Sequence, residues 1–408
     1  CLLNQDFLLP HMPLPSPQAV SSGRSATYQP RIVIVGGGFG GLYTALYLQK
    51  YSHLKGSSIT LIEPRERFLF TPLLYEVLTE EMLLWEVAPP YSTLLAGTAI
   101  QWRQDWAERL DLEQQRVTLR QGDSLAYNYL VVATGVKTRQ LPIPGINEHA
   151  ITFRSLDDVV HVKRRLDQLD TVSHPVAVTV IGAGASGVEL ATKAADRLGK
   201  KAQVRLVDRG DQILKPFPKG LRHSAMRALG QRNVALHLQA QVNQVGPDTI
   251  WLDGAEVPSH LTLWATGTEP LPWLGSAVAT NEHGQVWVRP TLQLENYFNV
   301  FVVGDIAAQE RSTPNTAQAA YQAAAAVAKS LANLTRQRAP RPFRYLHLGD
   351  MLALGKGAGG VWSFGLSFGG RLGGIVRRAV YIFRMPTARH RLKVARRAIQ
   401  QVVQGIWP

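Results

Sequence analysis

Two glycine-rich segments with matching flanks constrain this chain more than any other feature. Gly36-Gly37-Gly38-Phe39-Gly40-Gly41 satisfies G-x-G-x-x-G through Gly36, Gly38 and Gly41, and Gly182-Ala183-Gly184-Ala185-Ser186-Gly187 repeats the pattern through Gly182, Gly184 and Gly187. Each follows a short β-branched run, Arg31 to Val35 in the first case and Val176 to Ile181 in the second. Each opens a stretch with helical spacing, Leu42 to Lys50 and Val188 to Leu198. A second strand-like run then ends on an acidic residue about 26 positions on, Glu63 and Asp208 respectively. Strand, glycine turn, helix and strand make a βαβ unit, and the two units stand about 150 residues apart as repeats of one architecture. A lone match is weak because glycine turns often serve only as turns. Two matches in the same context argue against decoration.

The spacing carries a specific chemistry. The first glycine permits a tight turn, the second lets backbone approach a pyrophosphate, and the third allows close helix–strand packing, so that unpaired N–H groups at the helix start face the phosphates. Glu63 and Asp208 are placed to accept hydrogen bonds from adenosine ribose hydroxyls. A carboxylate there repels a 2′-phosphate, so Asp208 favours NADH, while Arg209 beside it keeps NADPH open unless it is merely a solvated turn arginine.

Each unit is followed by a strand closing on the same tripeptide, Ala133-Thr134-Gly135 and Ala265-Thr266-Gly267. A third run, Val300 to Val303, ends in Gly304-Asp305 and feeds an alanine-rich helix from about Thr316 to Leu331. Lacking its own fingerprint, this last segment is assigned back to the first domain. The expected fold is therefore α/β, with two Rossmann-like dinucleotide-binding domains, the second inserted in the first. The boundaries read as a disordered lead-in over 1–30, a first domain over 31–150 and 288–337, an inserted domain over 151–287, and a basic extension over 338–408.

Composition narrows the function. The only cysteine is Cys1, which excludes an intramolecular disulfide, a cysteine-based metal site and flavoenzymes that work through cysteine sulfur; no metal site is expected. Five prolines in the first thirty residues, without a charged region leading into an apolar one, do not resemble a secretory signal. No run of 18 apolar residues suggests a spanning helix. The formal charge of +14 is concentrated at the end, with no acidic residue after Asp350. Without a nucleic-acid-binding motif, that charge points away from nucleic acid.

The order of first fingerprint, Ala-Thr-Gly strand, inserted second fingerprint and late Gly-Asp resembles the two-dinucleotide-binding flavoprotein family over about residues 31 to 335. The resemblance implies FAD at the first site, through Gly36, Gly38, Phe39, Gly40, Gly41, Glu63, Thr134, Gly135, Gly304, Asp305 and Ala317. It implies NADH or NADPH as co-substrate at the second, through Gly182, Gly184, Ser186, Gly187, Asp208, Thr266 and Gly267. The bland alternative for Asp305 is a helix N-cap. Phe68 to Glu76 and Ala317-Gln318-Ala319-Ala320-Tyr321-Gln322 further resemble type II NAD(P)H:quinone oxidoreductases. Carried over by position, Gln318 and Gln322 line a quinone pocket with Pro72, Leu73 and Tyr321, and Lys356 lies nearby through a looser match. Glu189 matches a glutamate near the nicotinamide and flavin rings; on its own it would read as an exposed first-turn residue favoured by the helix dipole. Tyr75-Glu76-Val77-Leu78 and Trp85-Glu86-Val87-Ala88-Pro89 are similar to the cyanobacterial and plastid branch, which includes demethylphylloquinone reductases of phylloquinone synthesis.

In the tail, Leu392, Ala395, Ile399, Val402 and Val403 follow helical spacing with Arg389, Arg391, Lys393 and Arg397 on the flanks and opposite face. Nine basic residues from Arg371 onward, each contributing about 1 kcal/mol near an anionic leaflet, read as a foot for peripheral attachment on the cytoplasmic side of a membrane. In a cyanobacterium that membrane is the thylakoid or the plasma membrane. A homodimer stays open. Two other functions stay open as well: a soluble reductase of a ferredoxin- or rubredoxin-type partner, and a redox sensor with negligible turnover.

Overall fold

The computed structural model describes residues 29–139, 141–271 and 278–404; most of the lead-in, with Cys1, lies outside them. Each fingerprint unit nucleates a five-stranded parallel sheet. The first runs Val300–Val302, Tyr129–Val132, Arg31–Val35, Ser58–Ile62 and Ile100–Arg103. The second runs Ala150–Thr152, Leu261–Trp264, Val176–Ile181, Ala202–Asp208 and Ala235–Leu238, the same order of roles. Strands buried on both faces are written as continuous apolar runs: every residue of Val176–Ile181 is buried, as are the last four of Arg31–Val35. Val300–Val302 pairs in register with Leu130 to Val132, so the late Gly-Asp segment edges the first sheet. Val136–Thr138 and Thr268–Pro270 pair antiparallel where the chain passes between the sheets.

The helices that cover these sheets begin where the glycine turns release them, Phe39–Leu48 and Ala185–Leu198. The alanine-rich helix Ala317–Leu334 is capped by Thr316, whose hydroxyl accepts from the Ala319 N–H, and small side chains let it lie close against Phe39–Leu48.

The glycine-rich stretch from Asp350 to Gly369 is a three-stranded antiparallel sheet, Asp350–Ala353, Gly359–Ser363 and Leu366–Gly369. Two helices follow, Gly370–Arg384 and Ala388–Val403, the second capped by Thr387. Both are amphipathic in an unusual sense. One face is buried through Arg377, Arg378, His390, Val394, Ala398 and Gln401, while Leu372, Phe383, Leu392, Ile399, Val402 and Val403 stand more than half exposed. The expectation of nine free cations needs correction: Arg377 and Arg378 are buried, and Arg397 is paired with Glu86. Arg384 and Arg391 are folded over the Tyr321 and Phe383 rings, leaving Arg371, Arg389, Lys393 and Arg396 exposed. The sequence concealed this because the partner carboxylates lie some three hundred residues upstream.

Candidate active site

The first cradle is built by backbone. Gly36 turns at φ +97°, and a Cβ there would press on the Ala133 carbonyl; only glycine reconciles that turn with the neighbouring strand end. Gly38 faces open space, which is what close approach of a phosphate requires. Glu63 is buried and accepts from the Gly37 N–H at 2.7 Å and the Arg65 N–H at 3.0 Å. The Tyr91 hydroxyl locks the same turn through the Gly37 carbonyl at 2.7 Å. Phe39 packs its ring among Tyr43, Phe68 and Phe70, so at least part of its surface holds the turn rather than a ligand. Gly40 lies against Val303, where a Cβ would fall 2.9 Å from a methyl group.

The second cradle repeats the device. Gly182 turns at φ +109° beside Ala265, and Gly184 faces open space. Asp208 accepts from Ala183 N–H at 2.7 Å and Gly210 N–H at 2.6 Å. Arg209 is exposed. Ser186 meets the buried Tyr75 hydroxyl. Beside the cradles, Thr134 and Thr266 each hold a buried hydroxyl oxygen with no partner, a state that proteins rarely leave unanswered. Gly135 and Gly267 both turn at positive φ just beyond them. Two phosphate-sized cradles, each with an acidic residue at the next strand end and an unsatisfied threonine, fit two dinucleotides.

Asp305 lines a cleft with Gly304, Pro314, Asn315 and Ala320. Burial raises its carboxyl above the ordinary range, with the Arg154 guanidinium working the other way. It is not the N-cap of the alanine-rich helix, a role held by Thr316. Ala317 opens that helix.

Beside the helix that the second cradle opens lies a buried charge cluster, of which sequence reasoning had singled out Glu189 and Pro72 but not Arg377. Glu189 is only 6% exposed, so it is not a surface first-turn residue. Its Oε1 accepts from the Ala353 N–H at 2.7 Å and the Arg377 guanidinium at 3.2 Å. Arg377 also binds Glu76 and the Pro72 carbonyl. Burial raises Glu189 to about 7, with Arg377 and the Ala353 N–H offsetting only part of that cost. For Glu76 burial works in the same direction, but Arg377 and Lys193 more than offset it and hold the carboxyl below its usual range. One turn further along the Ala185–Leu198 helix, the fully buried Lys193 binds Glu81 and Thr79. The only sequence signal for these partners was their density in the 76–86 segment.

Pro72 and Leu73 belong to this cluster, Leu73 fully buried. Tyr321 packs near Tyr43, with Arg384 over its ring. Gln318 and Gln322 do share one helix face, but both amides hold the extended segment before Asp350. Gln318 accepts from the Tyr345 hydroxyl at 2.7 Å and the Leu348 N–H at 3.1 Å. Gln322 pairs with both backbone groups of Leu346. Lys356 departs from expectation: its side chain is exposed and its N–H meets Asp196, about two helical turns from Glu189. The tight Gly355 turn against Asp196 and Arg232 carries it there.

The sequence from 30 to 324 matches the model of the pyridine nucleotide-disulphide oxidoreductases. This chain belongs to that family. Its resemblance to type II NAD(P)H:quinone oxidoreductases extends over whole chains. It is 38% identical to a demethylphylloquinone reductase of Synechocystis over 90% of this chain and 95% of that one. It is 32% identical to an alternative NAD(P)H-ubiquinone oxidoreductase of Arabidopsis thaliana over 90% and 80%. The fold matches that of NDH2 from Plasmodium falciparum, solved with NADH, at a TM-score of 0.83, 18% identity, and 93% and 99% coverage. Disulphide chemistry does not travel with the family here, because no cysteine occurs among the described residues.

Proposed function

We propose that this protein passes two electrons from NAD(P)H, through FAD, to a membrane quinone at a bilayer surface, without pumping protons. One observation carries the reading. Two glycine cradles of the same build are present, and Glu189, on the helix that the second one opens, meets Arg377 of the Gly370–Arg384 helix, which also binds Glu76 and the Pro72 carbonyl of the Thr71–Val77 segment. Bound flavin would supply the two-electron chemistry. The chain's own residues would do the rest: Gly36, Gly38 and Gly41 with Glu63 hold one dinucleotide, and Gly182, Gly184 and Gly187 with Asp208 hold the other. Glu189, burying a carboxyl that titrates near neutrality, orients the nicotinamide end or holds a proton beside the reacting rings. The relatives' names, a demethylphylloquinone reductase and an NAD(P)H-ubiquinone oxidoreductase among them, favour a quinone acceptor, demethylphylloquinone first.

Attachment to the membrane is supported by the exposed apolar faces of the last two helices and by Phe364 and Leu366 at the hairpin tip, both over 70% exposed. Such contiguous apolar surface marks an interaction site. Among the described residues no helix is long and apolar enough to cross a membrane, and a helix lying in the interface needs none. Steady-state oxidation of NADH and NADPH with a quinone panel, with and without vesicles, tests the reading. Turnover with a ferredoxin-type protein but with no quinone would replace it by the soluble-reductase alternative.

A further inference from the structure

We propose that a pocket between the Trp85–Thr93 segment and the start of the Ala388–Val403 helix binds the phosphate of an anionic membrane lipid. The proposal rests on the membrane-surface reading above and adds a discrete site to it. The pocket holds about 180 Å³ and is lined by Trp85, Pro90, Thr93, Arg389, His390 and Lys393, among others. A water molecule claims about 30 Å³ of liquid, so the space suits a headgroup rather than a single solvent molecule.

Its electrostatics are one-sided. Arg389 and Lys393 stand one turn apart on one helix face, both exposed, and neither has an ion pair or hydrogen bond among the described residues. Their neighbours Arg391 and Arg397 are occupied by Phe383 and Glu86. No carboxylate lines the pocket. Glu86, next to Trp85 in the chain, is fully buried and turned toward the Leu83 N–H and Arg397. His390 donates its Nε2–H to the Glu86 carbonyl at 2.8 Å, and burial, with Lys393 adding to it, keeps the ring below its ordinary range. The pocket therefore presents two permanent charges, two threonine hydroxyls, Thr93 and Thr387, and an indole.

Position identifies the source of the anion. Leu392 and Ile399, the exposed apolar stripe, run beside Arg389 and Lys393 on the same helix, and Leu83 and Leu84 are exposed beside Trp85. An anion reaching the pocket thus has exposed apolar residues of two segments beside it, and the lining includes Trp85, a residue type enriched at membrane interfaces. A phosphodiester on a diacyl lipid fits both halves; free phosphate uses only one.

Flotation of the full-length holoprotein with phosphatidylcholine vesicles, with and without phosphatidylglycerol, tests the site. R389Q/K393Q and R371Q/R396Q remove equal charge, so diffuse attraction alone would cost each the same roughly 30-fold. A pocket predicts about tenfold more loss for R389Q/K393Q. It also predicts that Thr93→Trp, which fills the space without changing charge, weakens binding to phosphatidylglycerol vesicles but not to neutral ones. Monomeric short-chain phosphatidylglycerol should saturate the wild type and R371Q/R396Q but not R389Q/K393Q or T93W. Equal losses in the two double variants, wild-type binding by T93W, or saturation by inorganic phosphate as tight as by the short-chain lipid would each overturn the proposal. Reduction of a water-soluble quinone by NADH, measured on the same samples, reports separately on the oxidoreductase reading.

Discussion

Gly187→Ala is the sharpest perturbation of the second cradle. A Cβ at Gly187 would sit 1.7 Å from the Gly182 carbonyl oxygen, where real contacts begin at 3.0 Å. The helix start and the turn must therefore separate by at least 1.3 Å, from 3.0 minus 1.7. The helix cannot give freely, because Lys193 ties it to Glu81 and Asp196 ties it to Arg232. The displacement falls on the turn that presents N–H groups to the phosphates. Misplacement of about 1 Å costs on the order of 100-fold, or about 2.7 kcal/mol. Anaerobic stopped-flow bleaching of the flavin should thus require about 100-fold more NADH, with FAD content unchanged. Gly41→Ala, which places a Cβ 1.8 Å from the Gly36 carbonyl oxygen, should lose FAD instead. Wild-type dependence on NADH in G187A, or loss of FAD from G187A alone, would refute the reasoning.

Glu189, raised to about 7 by burial, should give flavin reduction a pH inflection near that value that E189Q abolishes. Because its folded value lies above the ordinary 4.5, its contribution to stability is fully present below that and is lost as pH rises through about 7; denaturant melts should show E189Q gaining on the wild type across that window. Arg377→Met strands Glu76 and Glu189 in the interior and should cost about 3–5 kcal/mol in urea unfolding. Replacing Leu392, Ile399 and Val402 together by Gln should abolish vesicle flotation, at about 1 kcal/mol or more per side chain, while soluble-quinone reduction persists. Asp208→Ser should narrow the preference for NADH over NADPH in kcat/KM, since the carboxylate that repels a 2′-phosphate is gone.

Local rules made the cradles legible. The strand–glycine–helix order and Glu63 and Asp208 at strand ends follow from spacing within some thirty residues, whereas the pairing of Val300–Val302 with Leu130 to Val132 is long-range and was read only from the lack of a third fingerprint. The charge cluster was not legible in that way. Glu76, Glu81 and Glu86 look like surface carboxylates, and Arg377, Arg378 and Arg397 like free cations, until the last helices fold back over the 71–87 segment. Helical spacing did identify Leu392, Ile399 and Val402 as one stripe, yet it assigned Arg397 to solvent. Lys356 was carried over on a loose glycine-rich match, and it stands exposed just after the tight Gly355 turn.

The most direct measurement is the absorbance of the purified protein under anaerobic conditions. One equivalent of bound flavin, bleached by reduced pyridine nucleotide and restored by adding a quinone, is the predicted outcome. A colourless protein after reconstitution, or a flavin that NADH and NADPH leave oxidised, would contradict the account.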